Sequence, residues 1–371
     1  MKKISGLLIL IIVLVLNVQS QALVRREINI PDISGYKTLK CDFHIHTVFS
    51  NGLVWPTIRI QEAWMEGLDV IAFTDHLEYH TFDKDVVYND NRAIEVAQPM
   101  ADMYNIILIR GVEITRKQPL GHFNAIFTTD NNALRVPDSL KSIAIANQQN
   151  AFVFWNHPLE ENGNWFDVQE QLYKQGQLKG IEVANHNTYF PEAQQWCMDK
   201  NLTMMSNSDV HNPITFDYDF SKGEHRPTTL VFAKEKSPEG IKEALINHRT
   251  VVYWKDKLIG REEFLKAIYK ESVLILNTSF SFKKDKKNKA VILIKNNSEI
   301  PYQLVFKNDS KNLNLPNNVT LAGSKTTAIA IEYTSSEAGV KTLLIPFEIS
   351  NLLVLPNQGM HSEINLNINL E

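Results

Sequence analysis

Short apolar runs, each followed by polar residues, recur through the first two thirds of the chain. They occupy residues 70–73, 106–109, 152–155, 180–183, 202–205 and 229–232. Runs of this length are typical of buried strands, and helix-like stretches separate them at residues 56–67, 91–104, 137–150 and 238–247. Strands that alternate with helices predict parallel strands joined by crossovers, so the expected fold class is α/β.

The polar residues after these runs, and after a further apolar stretch near residue 41, are mostly histidines and carboxylates. They are His44, His46, Asp75, His76, Glu113, His157, Glu182, Asp209 and His211. In a closed barrel of parallel strands, the carboxyl ends of the strands meet at one mouth. His44 and His46 lie two residues apart on an extended segment, so both side chains point to the same face. We therefore expect these side chains to converge on one site.

A metal centre explains this pattern better than core packing does. A single buried histidine is usually a hydrogen-bonded core residue, but so many buried ionisable groups are costly unless they are paired or bound to a cation. Imidazole and carboxylate ligands suit zinc, manganese or iron. The lack of cysteine ligands argues against a closed structural zinc site. The pattern therefore predicts a divalent-metal centre.

The composition limits the classes of protein to which the chain can belong. The chain has 371 residues, 44% of them hydrophobic and 22% charged, which is typical of a globular protein with a packed core. Its net charge of −4 argues against strong electrostatic binding to DNA or RNA. The two cysteines, Cys41 and Cys197, lie in apolar predicted elements, and we expect buried free thiols.

The N-terminus resembles a secretory signal peptide over residues 1–22. Lys2 and Lys3 precede an apolar stretch at 7–16 and a small-residue end near Ala22. The apolar stretch is short for a spanning helix, which needs about 20 residues, although an uncleaved anchor is the alternative. We expect a periplasmic or secreted protein without a membrane span after cleavage.

The C-terminal region has a different pattern. Apolar and polar residues alternate strictly at 327–331 and 364–370, and turn residues separate these runs. A period of two with frequent turns is typical of an antiparallel β-sandwich. We therefore divide the chain into a barrel at 30–270 and a small β-sandwich at 273–371. The sandwich could be a packing partner, a carbohydrate-binding module or a surface-adhesion module.

Six short motifs follow one another in the barrel region. They are HIHTVFSNG at 44–52, TDH at 74–76, Glu113, GH at 121–122, HP at 157–158 and SDVH at 208–211. In this order they resemble the motifs of the PHP family (polymerase and histidinol phosphatase), over about residues 38 to 260. The resemblance implies a distorted (β/α)7 barrel with two or three divalent ions at its mouth, and hydrolysis of phosphoesters.

Carried over motif by motif, the resemblance implies three sets of metal ligands. The first is His44, His46, Glu113 and Asp209; the second is Glu113 as a bridge with His122 and His157; the third is His76, His211 and Asn51. The family usually has Asp at the position of Asn51. An amide oxygen carries no negative charge, so we expect the third ion to bind more weakly, and the active enzyme could be dinuclear.

Three further residues are candidates for catalysis: Asp75, His80 and Arg226. Asp75 could orient a ligand histidine or cap a helix, and His80 could act as an acid in the pocket or lie on a surface loop. Arg226 could clamp a phosphate, because guanidinium matches phosphate with two hydrogen bonds, or form a salt bridge. The loop at 160–167, with Trp165, is the best candidate for substrate choice.

The function predicted from these features is exported, metal-dependent hydrolysis of a small phosphate ester, such as a nucleotide or sugar phosphate. A metal-bridging hydroxide would attack phosphorus. The alternatives are a phosphodiesterase or exonuclease, a metal-dependent amide or lactone hydrolase, and a non-catalytic binding protein with a decayed metal centre. The oligomeric state is left open.

Overall fold

The computed structural model describes residues 24–87, 89–158, 164–307 and 311–371. The predicted signal peptide at 1–22 lies outside these residues. Among the residues described, no helix has the length and apolar character needed to cross a membrane.

The barrel region contains eleven of the strands described and all of the α-helices described. Its strands are β1 (Lys37–Asp42), β2 (Val70–Phe73), β3 (Ile107–Thr115), β4 (His122–Ile126), β5 (Phe152–Trp155), β6 (Gly180–Asn185), β7 (Thr188–Tyr189), β8 (Thr203–Asn207), β9 (Thr228–Ala233), β10 (Thr250–Trp254) and β11 (Lys257–Gly260). Its helices are α1 (Pro56–Met65), α2 (Arg92–Tyr104), α3 (Ser139–Gln148), α4 (Asp167–Lys174), α5 (Pro191–Asp199), α6 (Ile214–Asp217), α7 (Pro238–Ile246) and α8 (Glu262–Ser272). Two 3₁₀ turns lie at Asn132–Leu134 and Phe220–Lys222.

The sheet of this region is mixed rather than wholly parallel. β1, β2 and β3 are parallel neighbours, and so are β5, β6 and β8. β4 is antiparallel to β3 and β5, and β9 is antiparallel to β1. The α/β fold class is confirmed, but the expectation of parallel pairing is wrong for β9. Its connection from β8 stays at the mouth of the barrel, so β9 starts there and runs away from it.

The sheet curls until β8 returns to β1. The backbone N–H of Phe43 donates to Oδ1 of Asn207 at 2.8 Å, and a parallel bridge joins Ile45 to Val210. Helices cover the outside of the sheet; Ile60 of α1, for example, is fully buried against β2. Cys41 and Cys197 are buried free thiols, as expected.

The C-terminal region consists of β-strands in two layers. Its strands are β12 (Val273–Ile275), β13 (Ser279–Phe282), β14 (Asn288–Asn296), β15 (Tyr302–Phe306), β16 (Leu313–Asn314), β17 (Asn318–Leu321), β18 (Thr326–Tyr333), β19 (Gly339–Leu355) and β20 (Gln358–Leu370). One layer has the order β12-β14-β18-β16, and β13, β15, β17, β19 and β20 form the other. Pairing is antiparallel except between β13 and β20, so the predicted β-sandwich is confirmed.

The long strand β19 joins the two regions. Leu352 and Leu353 near its end pair in parallel with Leu258 and Ile259 of β11, so one sheet continues from the barrel into the sandwich. A single apolar cluster likewise contains residues of both regions. The C-terminal region is therefore packed into the barrel rather than held by a linker.

Candidate metal centre

Four side chains converge at the mouth of the barrel. His44 and His46 follow β1, Glu113 lies in β3 and Asp209 follows β8. The Nε2 atoms of both histidines lie 3.2 Å from Oε2 of Glu113 and 3.1 Å from Oδ1 of Asp209. The two Nε2 atoms are 3.1 Å apart. In a tetrahedron around an ion with ligand bonds of about 2.0 Å, neighbouring ligands are about 3.3 Å apart, so the two imidazoles and either carboxylate oxygen are spaced as ligands of one cation.

A second set of ligands adjoins the first through its carboxylates. The other oxygen of Glu113, Oε1, lies 2.8 Å from Nδ1 of His122 and 4.0 Å from Nε2 of His157. Oδ2 of Asp209 lies 3.7 Å from the same Nε2 of His157. Glu113 thus presents one oxygen to each set, in the bridging position that the resemblance implies.

The residues predicted for a third ion line the same cavity as the first two sets. Ligand atoms of His76 and His211 lie within 4.8 Å of each other and of one on His46. His76 is oriented by a contact of 2.7 Å between its Nδ1 and the hydroxyl of Thr115. Asn51 lines this cavity together with Tyr79. A third ion at this position stays a prediction.

Two of the candidate ligand residues adopt strained backbone conformations. His157 has φ of 24° and Asp209 has φ of 54°, a region that residues with a Cβ seldom occupy. Such conformations cost about 1–3 kcal/mol and persist where the surroundings hold them. The N–H of Asp209 donates to the carbonyl of His44 at 2.9 Å, and the N–H of His157 donates to Oε2 of Glu182 at 2.8 Å. The fold therefore maintains strain at this site.

Glu182, in β6, supports the first set from behind. Its Oε1 accepts from Nδ1 of His44 at 2.9 Å, which leaves Nε2 of that ring facing the other ligands. The amides of Asn185 and Asn207 also donate to this carboxylate, at 2.7 and 2.9 Å. A carboxylate behind a ligand histidine fixes its tautomer and orientation. The sequence marked Glu182 as a strand-end carboxylate, but we assigned it no role.

Asp75 fixes the turn that follows His46. Its carboxylate accepts from the backbone N–H and the hydroxyl of Thr47, both at 2.7 Å, and from the hydroxyl of Ser50 at 2.6 Å. The structure thus gives Asp75 a positioning role. It orients the turn rather than an imidazole ring.

The electrostatics of the centre favour cation binding. Burial favours the neutral forms of Glu113 and Asp209, but the nearby imidazoles, His76 for Glu113 and His44 for Asp209, hold both carboxyl pKa values well below their ordinary range. Burial lowers the pKa of His76 to about 3 and that of His211 to about 4. Near pH 7 the site therefore offers anionic oxygens and the neutral imidazoles of His76 and His211. Burial lowers the pKa of His44, His46 and His122, but the neighbouring carboxylates outweigh it and raise these three pKa values above the ordinary one. A bound cation would therefore displace protons from these rings.

Arg226 does not lie where we expected it. The side chain is buried, and its Nη1 contacts Asp42 at 2.9 Å while Nε and Nη2 contact Glu66 at 2.9 and 2.5 Å. Because two buried carboxylates hold the guanidinium, it cannot clamp a phosphate, and the predicted catalytic role of Arg226 is wrong. The salt-bridge alternative holds, although in the interior rather than on the surface.

His80 is also engaged outside the cavity. Its Nδ1 lies 3.0 Å from the carbonyl oxygen of Phe49, and its Nε2 lies 3.2 Å from the carbonyl of Leu77. A guanidinium nitrogen of Arg135 lies 3.0 Å from the same Nε2. Both ring nitrogens face loop groups, so the expectation of an acid in the pocket is corrected to a structural role in this loop.

Trp165 packs into an aromatic cluster. Its ring lies against Trp155 and Trp196, with centroids 6.1 and 5.6 Å away, and its N–H donates to Glu170 at 2.7 Å. The indole is thereby held by protein groups instead of being presented for stacking on a substrate. Trp155 is fully buried.

Comparison with known proteins gives several matches to parts of the chain. A family model described as an Ig-like domain, DUF5001, matches residues 275–365. An uncharacterized protein of Methanocaldococcus jannaschii is 35% identical over 81 residues, which span 22% of this chain and 36% of that protein. An amidohydrolase of Chromobacterium violaceum is 14% identical, with a TM-score of 0.38, over 47% of this chain and 88% of the other.

One solved structure matches nearly the whole chain. It is a two-domain protein of Bacteroides vulgatus ATCC 8482 that contains a predicted PHP-like metal-dependent phosphoesterase. It is 43% identical with a TM-score of 0.87, and the match covers 92% of this chain and 99% of that one. The chain therefore belongs to the family of PHP-like metal-dependent phosphoesterases, with an Ig-like domain at its C-terminus.

Proposed function

We propose that this protein is an exported hydrolase that cleaves a small phosphate ester, such as a nucleotide or sugar phosphate, with two or three divalent ions. The observation that carries the proposal is the bridging position of Glu113. Its two oxygens face two adjacent ligand sets, at 3.2 Å from His44 and 2.8 Å from His122. Adjacent cation sites that share a carboxylate suit phosphoryl chemistry.

The ligand residues fit the ions that the proposal needs. The donor atoms are imidazole nitrogens and carboxylate oxygens, which suit zinc, manganese or iron. Bound ions would offset the negative charge of the phosphate and lower the pKa of a water molecule, so that it attacks phosphorus near neutral pH. The P–O bond to the organic group breaks, and water supplies the new P–O bond and the proton for the leaving alcohol.

The residues of the chain hold and orient the reacting groups. Glu182 and Thr115 fix the rings of His44 and His76 through Nδ1, and Asp75 fixes the turn after His46. The cavity above them, about 300 Å³, is of the size that takes a small ligand. Neutral His76 and His211 line this cavity together with Asn51 and the exposed Tyr79.

We propose a small substrate because of the size of the cavity and the net charge of the protein. The net charge of −4 disfavours long nucleic acids, whose binding relies on basic surfaces. Export to the periplasm or the cell exterior is proposed from the sequence of residues 1–22, and the Ig-like domain is compatible with it.

Phosphate release joined to metal analysis tests this function. Purified protein would be assayed with manganese or zinc on monoesters, a diester, an amide and a lactone, before and after chelation. We expect phosphate release from monoesters that chelation abolishes and added metal restores. Activity confined to the amide or lactone, or phosphate release that survives chelation, would contradict the proposal.

The matched variants are Asp209→Ala and Asp199→Ala. Asp209 contributes an oxygen to the first set, so its loss should remove metal and hydrolysis together. Asp199 is exposed at the end of α5 and contacts Gln195, so its replacement should leave both unchanged. Full activity in Asp209→Ala would overturn the ligand assignment.

A further inference from the structure

A small cleft beside the metal centre contains three buried polar atoms that lack hydrogen-bond partners. They are Nε1 of Trp155, Oδ1 of Asn156 and Oε1 of Gln118, and none has a partner among the described residues. All three residues line one small cleft of about 50 Å³, enough for one or two hydroxyl groups. A buried polar atom left unpaired costs about 1–3 kcal/mol. Three such atoms in one cleft indicate that ordered water, or a ligand group that displaces it, completes their hydrogen bonds.

The cleft adjoins the second set of metal ligands. His122 and His157 line both this cleft and the main cavity. A phosphate bound near these histidines would therefore have its organic group beside the cleft. This continuity makes the cleft a part of the substrate site rather than an isolated void.

The two buried residues of the cleft are held in place. Trp155 stacks on Trp196 with ring centroids 5.6 Å apart. Nδ2 of Asn156 donates to Oδ1 of Asn124 at 2.9 Å, which fixes the direction of its own Oδ1. The donor and the acceptor are therefore already oriented for a ligand.

The loop that carries Gln118 is also fixed. Nε2 of Gln169, a fully buried residue of α4, donates to the carbonyls of Pro119 and Leu120 at 2.9 and 2.7 Å. Gly121, with φ of 77°, ends this loop, and a Cβ at that position would lie 3.0 Å from Nε1 of Trp155. The glycine thus keeps the indole N–H open to the cleft.

The chemistry of the cleft matches hydroxyl groups. It offers one donor, the indole N–H, and two acceptors, the amide oxygens of Gln118 and Asn156. A hydroxyl donates and accepts at once, whereas an anion would be repelled by the two oxygens. Arg116 also lines the cleft, but its guanidinium is paired with Glu78 at 2.7 Å. The cleft therefore suits a neutral group with neighbouring hydroxyls.

We propose, building on the function above, that this cleft binds the hydroxyl groups of the substrate's organic part. It selects phosphate esters of polyols and sugars, including the ribose of a nucleotide, over esters of plain alkyl groups. Gln118, Trp155 and Asn156 are the residues that determine this specificity.

Matched substrates test the proposal through kcat/KM. Glycerol 3-phosphate and ribose 5-phosphate carry neighbouring hydroxyls, and propyl phosphate lacks them. We expect the metal-loaded protein to prefer at least one of the two diol esters over propyl phosphate by about tenfold or more, since unpaired polar groups in a site reject a ligand that cannot bond to them. No preference for either diol ester would overturn the proposal.

Gln118→Leu is the test variant because Gln118 lies on a loop and its loss need not disturb the core. The ratio of kcat/KM between the preferred diol ester and propyl phosphate should fall about tenfold. Gln98→Leu is the control; Gln98 contacts Asp102 on the surface of α2, and the ratio should not change. An unchanged ratio in Gln118→Leu, with the wild-type preference intact, would exclude Gln118 from the cleft's function.

A binding measurement separates this proposal from the function on which it builds. If the wild type releases phosphate from none of the monoesters tested, the proposed function fails, and the cleft is judged by the indole N–H resonance of Trp155, assigned with Trp155→Phe. A shift of that resonance with ribose 5-phosphate or glycerol 3-phosphate, but not with propyl phosphate, supports the cleft as a hydroxyl site. An equal response to all three esters, or none, overturns it.

Discussion

The mouth of the barrel and the sheet shared with the sandwich are both buried, yet they are stabilised in opposite ways. Around the mouth, imidazoles, carboxylates and the Arg226 ion pair are packed together, and two ligand residues have strained backbones. Along β19, apolar side chains such as Leu352 and Ile349 fill the interior. The mouth is organised to bind cations at a cost in stability, while the shared sheet contributes stability without chemistry.

The largest effect should come from breaking the buried ion pair under the mouth. Arg226→Met leaves Asp42 and Glu66 buried without a counter-charge, and we expect a loss of about 3–5 kcal/mol in the free energy of unfolding. Chemical denaturation would measure it. Arg92→Met is the control, since the Arg92–Glu95 pair is exposed and worth about 0–1 kcal/mol. If Arg226→Met lost no more unfolding free energy than Arg92→Met, the buried ion pair would not be needed for the stability of the fold.

A cavity at the junction of the two regions should reduce stability but leave metal binding unchanged. Leu352→Ala removes a fully buried side chain that pairs with Leu258, at a cost of about 3 kcal/mol. The matched control is Leu344→Ala on the same strand, where the side chain is 56% exposed. A lower metal affinity of the folded Leu352→Ala protein would mean that the two regions are coupled more closely than we propose.

Glu182→Gln should act in the opposite way, on metal affinity rather than on the fold. The amide keeps the size of the side chain but removes the negative charge behind His44. Its NH2 group would also face N–H groups that now donate hydrogen bonds to the carboxylate. We expect metal affinity to fall about 10- to 100-fold in a chelator competition assay. Glu192→Gln, at an exposed position of α5, is the control. Unchanged affinity would remove Glu182 from the support of the centre.

The smallest effect is expected at the third set of ligands. Asn51→Asp adds a negative charge beside His76 and His211 and should raise the metal content per chain in elemental analysis. The control is Asn201→Asp, on an exposed turn, which should leave the metal content unchanged. An unchanged content in Asn51→Asp would show that position 51 is not a ligand.

The metal centre could be predicted from the sequence because its signal is local. His44 and His46 share one face of an extended segment, and most candidate ligands follow an apolar run, so strand geometry brings them to one end of a barrel. His122 is the exception, because it begins β4 and only the motif resemblance identified it. The same reasoning placed Glu182 at that end. It could not assign a role, because the contact with His44 joins residues 138 positions apart.

The predictions that failed concern the burial of a side chain and the direction of a strand. Arg226 follows a polar stretch, so its sequence suggests an exposed residue, yet Asp42 and Glu66 enclose it from 184 and 160 positions away. The reversal of β9 has no local signature, because an apolar strand reads alike in both directions. The unpaired atoms of Trp155 and Asn156 are likewise visible only when the cleft around them is assembled.

Metal analysis of the wild type beside Glu113→Ala tests the central claim most directly. Glu113 contacts both ligand sets, so its loss should affect both ions at once. We predict on the order of two to three equivalents of divalent metal per wild-type chain, and loss of metal and of phosphate release together in the variant. A Glu113→Ala protein that keeps the full metal content and hydrolyses phosphate esters at the wild-type rate would contradict the account.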